Sequence, residues 1–348
     1  MIWLTWRQFR LPATVAFVAI AVVGVILAIT GPHIADLFHD SVATCTVNCS
    51  SARSTFARYD LLLQNGLNAL AIFAPALIGL FWGAPLVARE FETGTFRLAW
   101  TEGVTRRSWM ATKLAEIGLA SILVTGLLSL SVTWWSSSFD RVNLDRLSPG
   151  VFAARDVVPV GYGALAFTLG VTAGLLIRRT IPAMVVALGA FFAARLGMTY
   201  WVRPHLAAPL TVARSYWTSY LAGHYASALS KGQPLPFSYP LRVAAPPGGW
   251  VVSNNTVDAN GQVVNAIQCV QSGGVRIRGP QPRHPSAAAV NRAGDRALHA
   301  CLTQFHQVLS YQPASRYWMF QWQELAIFAG VAIVLGGFCI WWIGRQLA

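Results

Sequence analysis

Charge is scarce in this chain, and acid is scarcer still. Lys, Arg, Asp and Glu make up 11% of its 348 residues, against roughly 25% in a soluble globular domain, and Asp and Glu together number 13. Hydrophobic residues reach 55% and the mean hydropathy is +0.48, which excludes a soluble fold and implies a polytopic membrane protein. Catalytic signatures are missing as well. There is no G-x-x-x-x-G-K-[ST] run, hence no phosphate-binding loop, and neither H-E-x-x-H nor G-x-S-x-G occurs. No Asp or Glu falls within an apolar window, so the chain lacks the carboxylates of an intramembrane aspartyl protease or of a proton-coupled carrier. An enzyme is not expected. No metal site and no cofactor in this chain are expected either. The net charge of +13 raises nucleic acid as a partner, but no basic patch interleaved with aromatics accompanies it. Topology and contact with anionic headgroups of membrane lipid are the better reading.

Six windows are long and apolar enough to cross about 30 Å of hydrocarbon: Leu11–Ile29, Leu67–Val87, Ile117–Trp135, Val157–Ile177, Ile181–Val202 and Leu325–Ile343. Trp134, Trp135, Trp201, Trp318, Trp322, Trp341 and Trp342 mark their ends as interfacial belts do. The first window is too long for a signal peptide's apolar core and no small-x-small cleavage site follows, so it reads as a retained span. Residues 1–10, with Trp3 and Trp6, read as an amphipathic helix lying on the inner surface. Arg7, Arg10, the basic residues of 89–113, Arg178, Arg179 and Arg345 all fall on one side, which puts both termini in the cytoplasm of a bacterial cell-membrane protein.

The expected fold class is mainly α, with six transmembrane helices and a small α+β extracytoplasmic domain between spans 5 and 6. Residues 11–202 hold spans 1–5, 203–323 the ectodomain, and 324–348 span 6 with a short tail. Within the ectodomain, Trp250–Ser253 and Val263–Val264 flank Asp258-Ala259-Asn260-Gly261, a hairpin signal. Residues 287–310 carry helical spacing. Cys45, Cys49, Cys269 and Cys301 fall in outward segments, where disulfides form. The expected pairs are Cys269 with Cys301 and Cys45 with Cys49; cross-pairing stays open, since four cysteines allow three connectivities. A zinc site using His299 or His306 is the rival reading, without a matching ligand spacing. Cys339 reads as a packing residue in span 6.

The longest polar interruption that faces the cytoplasm is Arg89–Lys113, REFETGTFRLAWTEGVTRRSWMATK. Thr105 can cap a helix that begins at Arg106 and runs into span 3. A loop that only fixes topology needs no such order, so the segment reads as a contact for a soluble partner. Arg195 is the one ionised residue inside a window, at a cost of roughly 2.5–3.5 kcal/mol at a bilayer centre. It reads either as a structural anchor, with an outer acid such as Glu324 as partner, or as lining of a substrate path together with Phe73, Phe81 and Trp82. Trp318, Trp322 and Glu324 read as an interfacial belt or as an outer gate.

The run Ala88-Arg89-Glu90-Phe91-Glu92-Thr93-Gly94-Thr95-Phe96-Arg97-Leu98-Ala99-Trp100-Thr101, followed by Val104-Thr105-Arg106-Arg107 and Lys113-Leu114, resembles the cytoplasmic loop of bacterial ABC-type exporter permeases whose ATPase is a separate chain. Tyr311–Trp318 with Gln321, Trp322 and Glu324 is similar to the segment before their last helix. The resemblance implies two permease copies, expected to be identical, and two ATPase subunits that carry the ATP and Mg2+. It implies that Glu90, Glu92, Gly94 and Thr95, with Arg89, Arg97, Arg106 and Arg107 around them, couple the segment (88–114) to the ATPase. It also implies export by alternating access, with spans 2 and 5 moving a hydrophobic or amphiphilic substrate outward. The competing class is a non-transporting sensor or scaffold with an ectodomain and an ATPase partner. A third is an ectodomain enzyme, for which His205, His224, His284, His299 and His306 make no recognisable constellation.

Overall fold

A computed structural model describes residues 2–46, 49–94, 105–215, 245–264 and 303–345. The chain divides into two units, Met1–Leu206 with Ser315–Ala348, and Ala207–Ala314. The first unit is helical: α1 (Ile2–Phe38), α2 (Cys49–Ala57), α3 (Leu61–Ile78), α4 (Ala84–Thr93), α5 (Arg106–Asn143), α6 (Pro149–Phe152), α7 (Val158–Ile177), α8 (Thr180–Gly197) and α9 (Tyr317–Arg345). A π turn at Gly79–Gly83 joins α3 to α4 without a break. Among the described residues, six helical segments are long and apolar enough to cross a membrane. Residues 2–10 form no separate interfacial helix but run straight into the first span as part of α1.

The bundle is built around α7. Its residues Val158, Tyr162, Leu165, Ala166, Phe167 and Val171 are buried, and it touches α3, α4, α5, α8 and α9. Without a hydrophobic drive between helices in lipid, close packing must supply the adhesion, and small residues allow it. A Cβ on Gly174 would lie 2.5 Å from the Ala84 carbonyl oxygen, and one on Gly83 2.5 Å from that of Phe167. The backbones of α7 and α4 therefore meet directly at glycine. The ion pairs of the bundle gather at its two ends. One end gathers the C-terminus of α4 and the N-termini of α5 and α8. The other gathers the C-terminus of α5 and the N-termini of α7 and α9.

The second unit holds a three-stranded antiparallel sheet, in the order β1 (Leu210–Ser215), β3 (His306–Gln312), β2 (Trp250–Val257). The expected turn at Asp258–Gly261 is present. Gly261 takes φ +78°, the Asp258 carboxylate accepts from the amides of Asn260 and Gln262, and Val257 bridges to Val263. The principal partner of β2 is nonetheless β3. Residues 306–310, expected to close a helix, are strand: Gln307, Leu309 and Gln312 turn inward. Here Gln307 bonds Asn254 and Thr256 across the sheet, at 2.6 and 2.7 Å. Residues 287–302 of the expected helix, with His299 and Cys301, lie outside the described residues, as does Cys269. Cys45 and Cys49 are bonded, with Cα atoms 5.6 Å apart.

Candidate functional site

At the first end, Arg89, Glu90 and Glu92 are not in a loop. They occupy the last turns of α4, which stops where Gly94 adopts φ +70°, a conformation that favours glycine. Thr105 accepts a hydrogen bond from the Ser108 amide at 3.3 Å and caps α5, leaving a connection of residues 94–105. Thr95 and Arg97 fall within it and lie outside the described residues. Both carboxylates bind this same chain. Glu90 pairs with Lys113 of α5, whose ammonium also stands 4.4 Å over the Trp109 ring. Glu92 accepts from the Thr180 amide at 2.9 Å and from its hydroxyl at 2.6 Å. It thereby caps the N-terminus of α8, where open N–H groups and the helix dipole favour an anion. Arg106 and Arg107 open α5, and a Cβ on Gly344 would come within 2.7 Å of the Arg107 Nε. The base of the connection is tied to α5 and α8, while Arg107 lies against the end of α9.

At the other end Glu324 does not open the last helix. α9 begins at Tyr317, so Glu324 sits about two turns inside it, fully buried. Its partner is Arg203, not Arg195. Two bonds of 2.9 and 3.0 Å join them, the Tyr162 hydroxyl donates to the same carboxylate, and Phe152 lies 4.0 Å from the guanidinium. Arg195 is buried beside this group, 5.0 Å from the Tyr162 ring, and donates to the Ile72 carbonyl at 3.0 Å. Next to it, Asp156 accepts from Arg146 at 2.7 Å and from the Tyr317 hydroxyl. Gln321 binds the Val158 amide at 3.0 Å, the Phe152 carbonyl at 3.2 Å and the Tyr317 hydroxyl at 3.0 Å. Arg155 donates to the Val132 carbonyl at 2.8 Å, and burial, partly offset by Asp140, lowers its proton affinity.

The expected outer gate is therefore split. Trp318 and Trp322 are 49% and 57% exposed, while Glu324 faces the core. The expected substrate path is divided too. Phe73 is exposed on α3 with Phe192 of α8 at 6.1 Å, Phe81 is exposed, and Trp82 is buried edge-on against Phe9 at 4.7 Å. Arg195 is held by the Tyr162 ring and by the carbonyl of Ile72, the residue before Phe73. Tyr162, Arg203 and Asp156 were not singled out by sequence, and Tyr317 and Gln321 only as part of the resemblance before the last helix. The mixed charges of residues 140–156 were the available signal, but nothing local ties them to a helix more than 150 residues later.

The family described as ABC-2 membrane transporter related matches the chain over residues 17–203. No curated protein and no solved structure matches it. The matched stretch covers more than half of the chain and contains α4, the connection to α5 and the buried Arg203, and the chain belongs to the ABC-2 membrane transporter related family.

Proposed function

We propose that the chain is the membrane-spanning subunit of an ATP-driven exporter, working as a pair of permeases with two copies of a separate ATPase. The observation that carries this reading is the 94–105 connection, whose flanks are bonded to two different spans, through Glu90–Lys113 to α5 and through Glu92–Thr180 to α8. A push on that connection from a soluble partner moves α4, α5 and α8 together. Arg89, Glu90, Glu92, Gly94, Arg106 and Arg107 form its base, and Thr95 and Arg97 belong to the part that meets the partner. No phosphate-binding loop occurs in the sequence, which supports ATP and Mg2+ belonging to the partner. The excess of basic residues at this end supports a cytoplasmic side for it and for both termini. Alternating access then opens a path between two copies, and the apolar faces of α3 and α8 suit a hydrophobic or amphiphilic substrate.

The test is purification of tagged protein in mild detergent, followed by reconstitution with whatever co-purifies. A P-loop ATPase at near-equal stoichiometry is expected. Replacing Glu90 and Glu92 together with Ala should leave the ATPase bound while substrate-stimulated hydrolysis and transport fall. Unchanged transport in that variant would refute the coupling role. A chain that purifies alone and without ATPase activity would favour a non-transporting sensor, a reading that the separate sheet unit of residues 207–314 supports.

A further inference from the structure

A groove runs along the bundle between α1 and α3–α4. Its apolar part, about 560 Å³, is lined by Leu11, Val15, Ala19, Leu70, Leu77 and neighbours from α5, with no charged side chain. A second cavity of about 430 Å³ shares Pro12, Phe81 and Trp82 with it and extends it to Arg89, Glu90 and Thr93. The two form one channel-like cleft, apolar along its length and charged at one end. The lining on α1 runs from Phe9 to Val23, about 21 Å of helix, enough to span the hydrocarbon of one leaflet. The π turn lets the adjacent Phe81 and Trp82 both line it.

Charge at the polar end has a definite sign. Glu90 is neutralised by Lys113, whereas Arg89 has no ion-pair partner among the described residues and is exposed. Arg7 and Arg10, also exposed, stand on α1 at the same end. We propose that this cleft holds one anionic phospholipid of the adjoining leaflet, an acyl chain lying along α1 and α3 and the phosphate against Arg89. The positive mouth selects the headgroup and the apolar walls take the chain. This rests on membrane insertion of the chain and is independent of the exporter reading.

Native mass spectrometry of protein reconstituted with equal phosphatidylglycerol and phosphatidylcholine, then stripped through graded detergent, tests it. The expected result is one retained lipid per chain, enriched in phosphatidylglycerol. Ala19→Trp places an indole in the cleft from an exposed position and should abolish retention. Arg89→Gln, a change at an exposed side chain that leaves the fold alone, should keep a lipid bound but lower the phosphatidylglycerol preference about five-fold, the worth of one basic residue at an anionic surface. Retention that survives Ala19→Trp, no headgroup preference in the wild type, or an unchanged preference in Arg89→Gln would each overturn the proposal. So would loss of a dimer in Ala19→Trp without loss of lipid, which would assign the cleft to a second copy of the chain.

Discussion

Burying an arginine and a glutamate without water is expensive unless each satisfies the other, and Arg203 and Glu324 are both fully buried. The pair is bidentate, the geometry in which guanidinium and carboxylate match best. The Tyr162 hydroxyl donates to the same carboxylate. Removing one partner strands the other charge, so Glu324→Ala or Arg203→Ala should destabilise the bundle by about 3–5 kcal/mol. Replacing both with Met should recover most of that loss, because no charge then remains buried. Thermal unfolding midpoints in one detergent will check the ordering. Equal loss in the single and double variants would show that packing volume, not charge, is what the pair supplies. Tyr162→Phe removes only the hydroxyl and should fall between wild type and Glu324→Ala, at about 1–3 kcal/mol.

At the scale of elements, α7 decides whether the bundle assembles. A Cβ on its Gly170 would come within 2.7 Å of the Ala84 nitrogen and 2.8 Å of the Gly83 Cα, rigid backbone that cannot step aside. Gly189 of α8 has nothing within 4 Å of such a Cβ. Gly170→Val should therefore abolish a monodisperse peak in size-exclusion chromatography, while Gly189→Val should elute as the wild type does. If both behaved alike, the close approach of α7 and α4 would not be what holds the helices together. The spans themselves were legible because lipid demands a long apolar run whatever the packing. Their ends were not. Polar residues at a helix end look like loop until a partner on another helix is known, and Glu90, Glu92 and Glu324 each have that partner on another helix. The Thr105 cap could be read because its hydrogen bond spans three residues. Arg203 could not, because its partner lies 121 residues away. The strand at 306–312 was missed for a related reason. Its apolar spacing suits a helix, and the long-range pairing with β1 and β2 overrides that local preference.

For the molecule as a whole, everything proposed about coupling depends on which end of the bundle faces the ATPase. The two ends differ in electrostatic character. The end with Arg7, Arg10, Arg89, Arg106, Arg107, Arg178, Arg179 and Arg345 is basic, and two of the acids there, Glu90 and Glu92, are engaged within the chain. At the opposite end Arg146, Arg155 and Arg203 are matched by Asp140, Asp156 and Glu324. An excess of cations on one side is retained in the cytoplasm, while balanced pairs carry no such bias. Single cysteines, introduced after the native ones are changed to serine, test this directly. Ser108 at the start of α5 and Ser54 in α2 are both exposed and mark opposite ends. In intact cells a membrane-impermeant maleimide should label a cysteine at 54 and leave one at 108 untouched until the membrane is opened. The reverse pattern would put the 94–105 connection outside, where no cytosolic ATPase could reach it, and the exporter reading would fall with it.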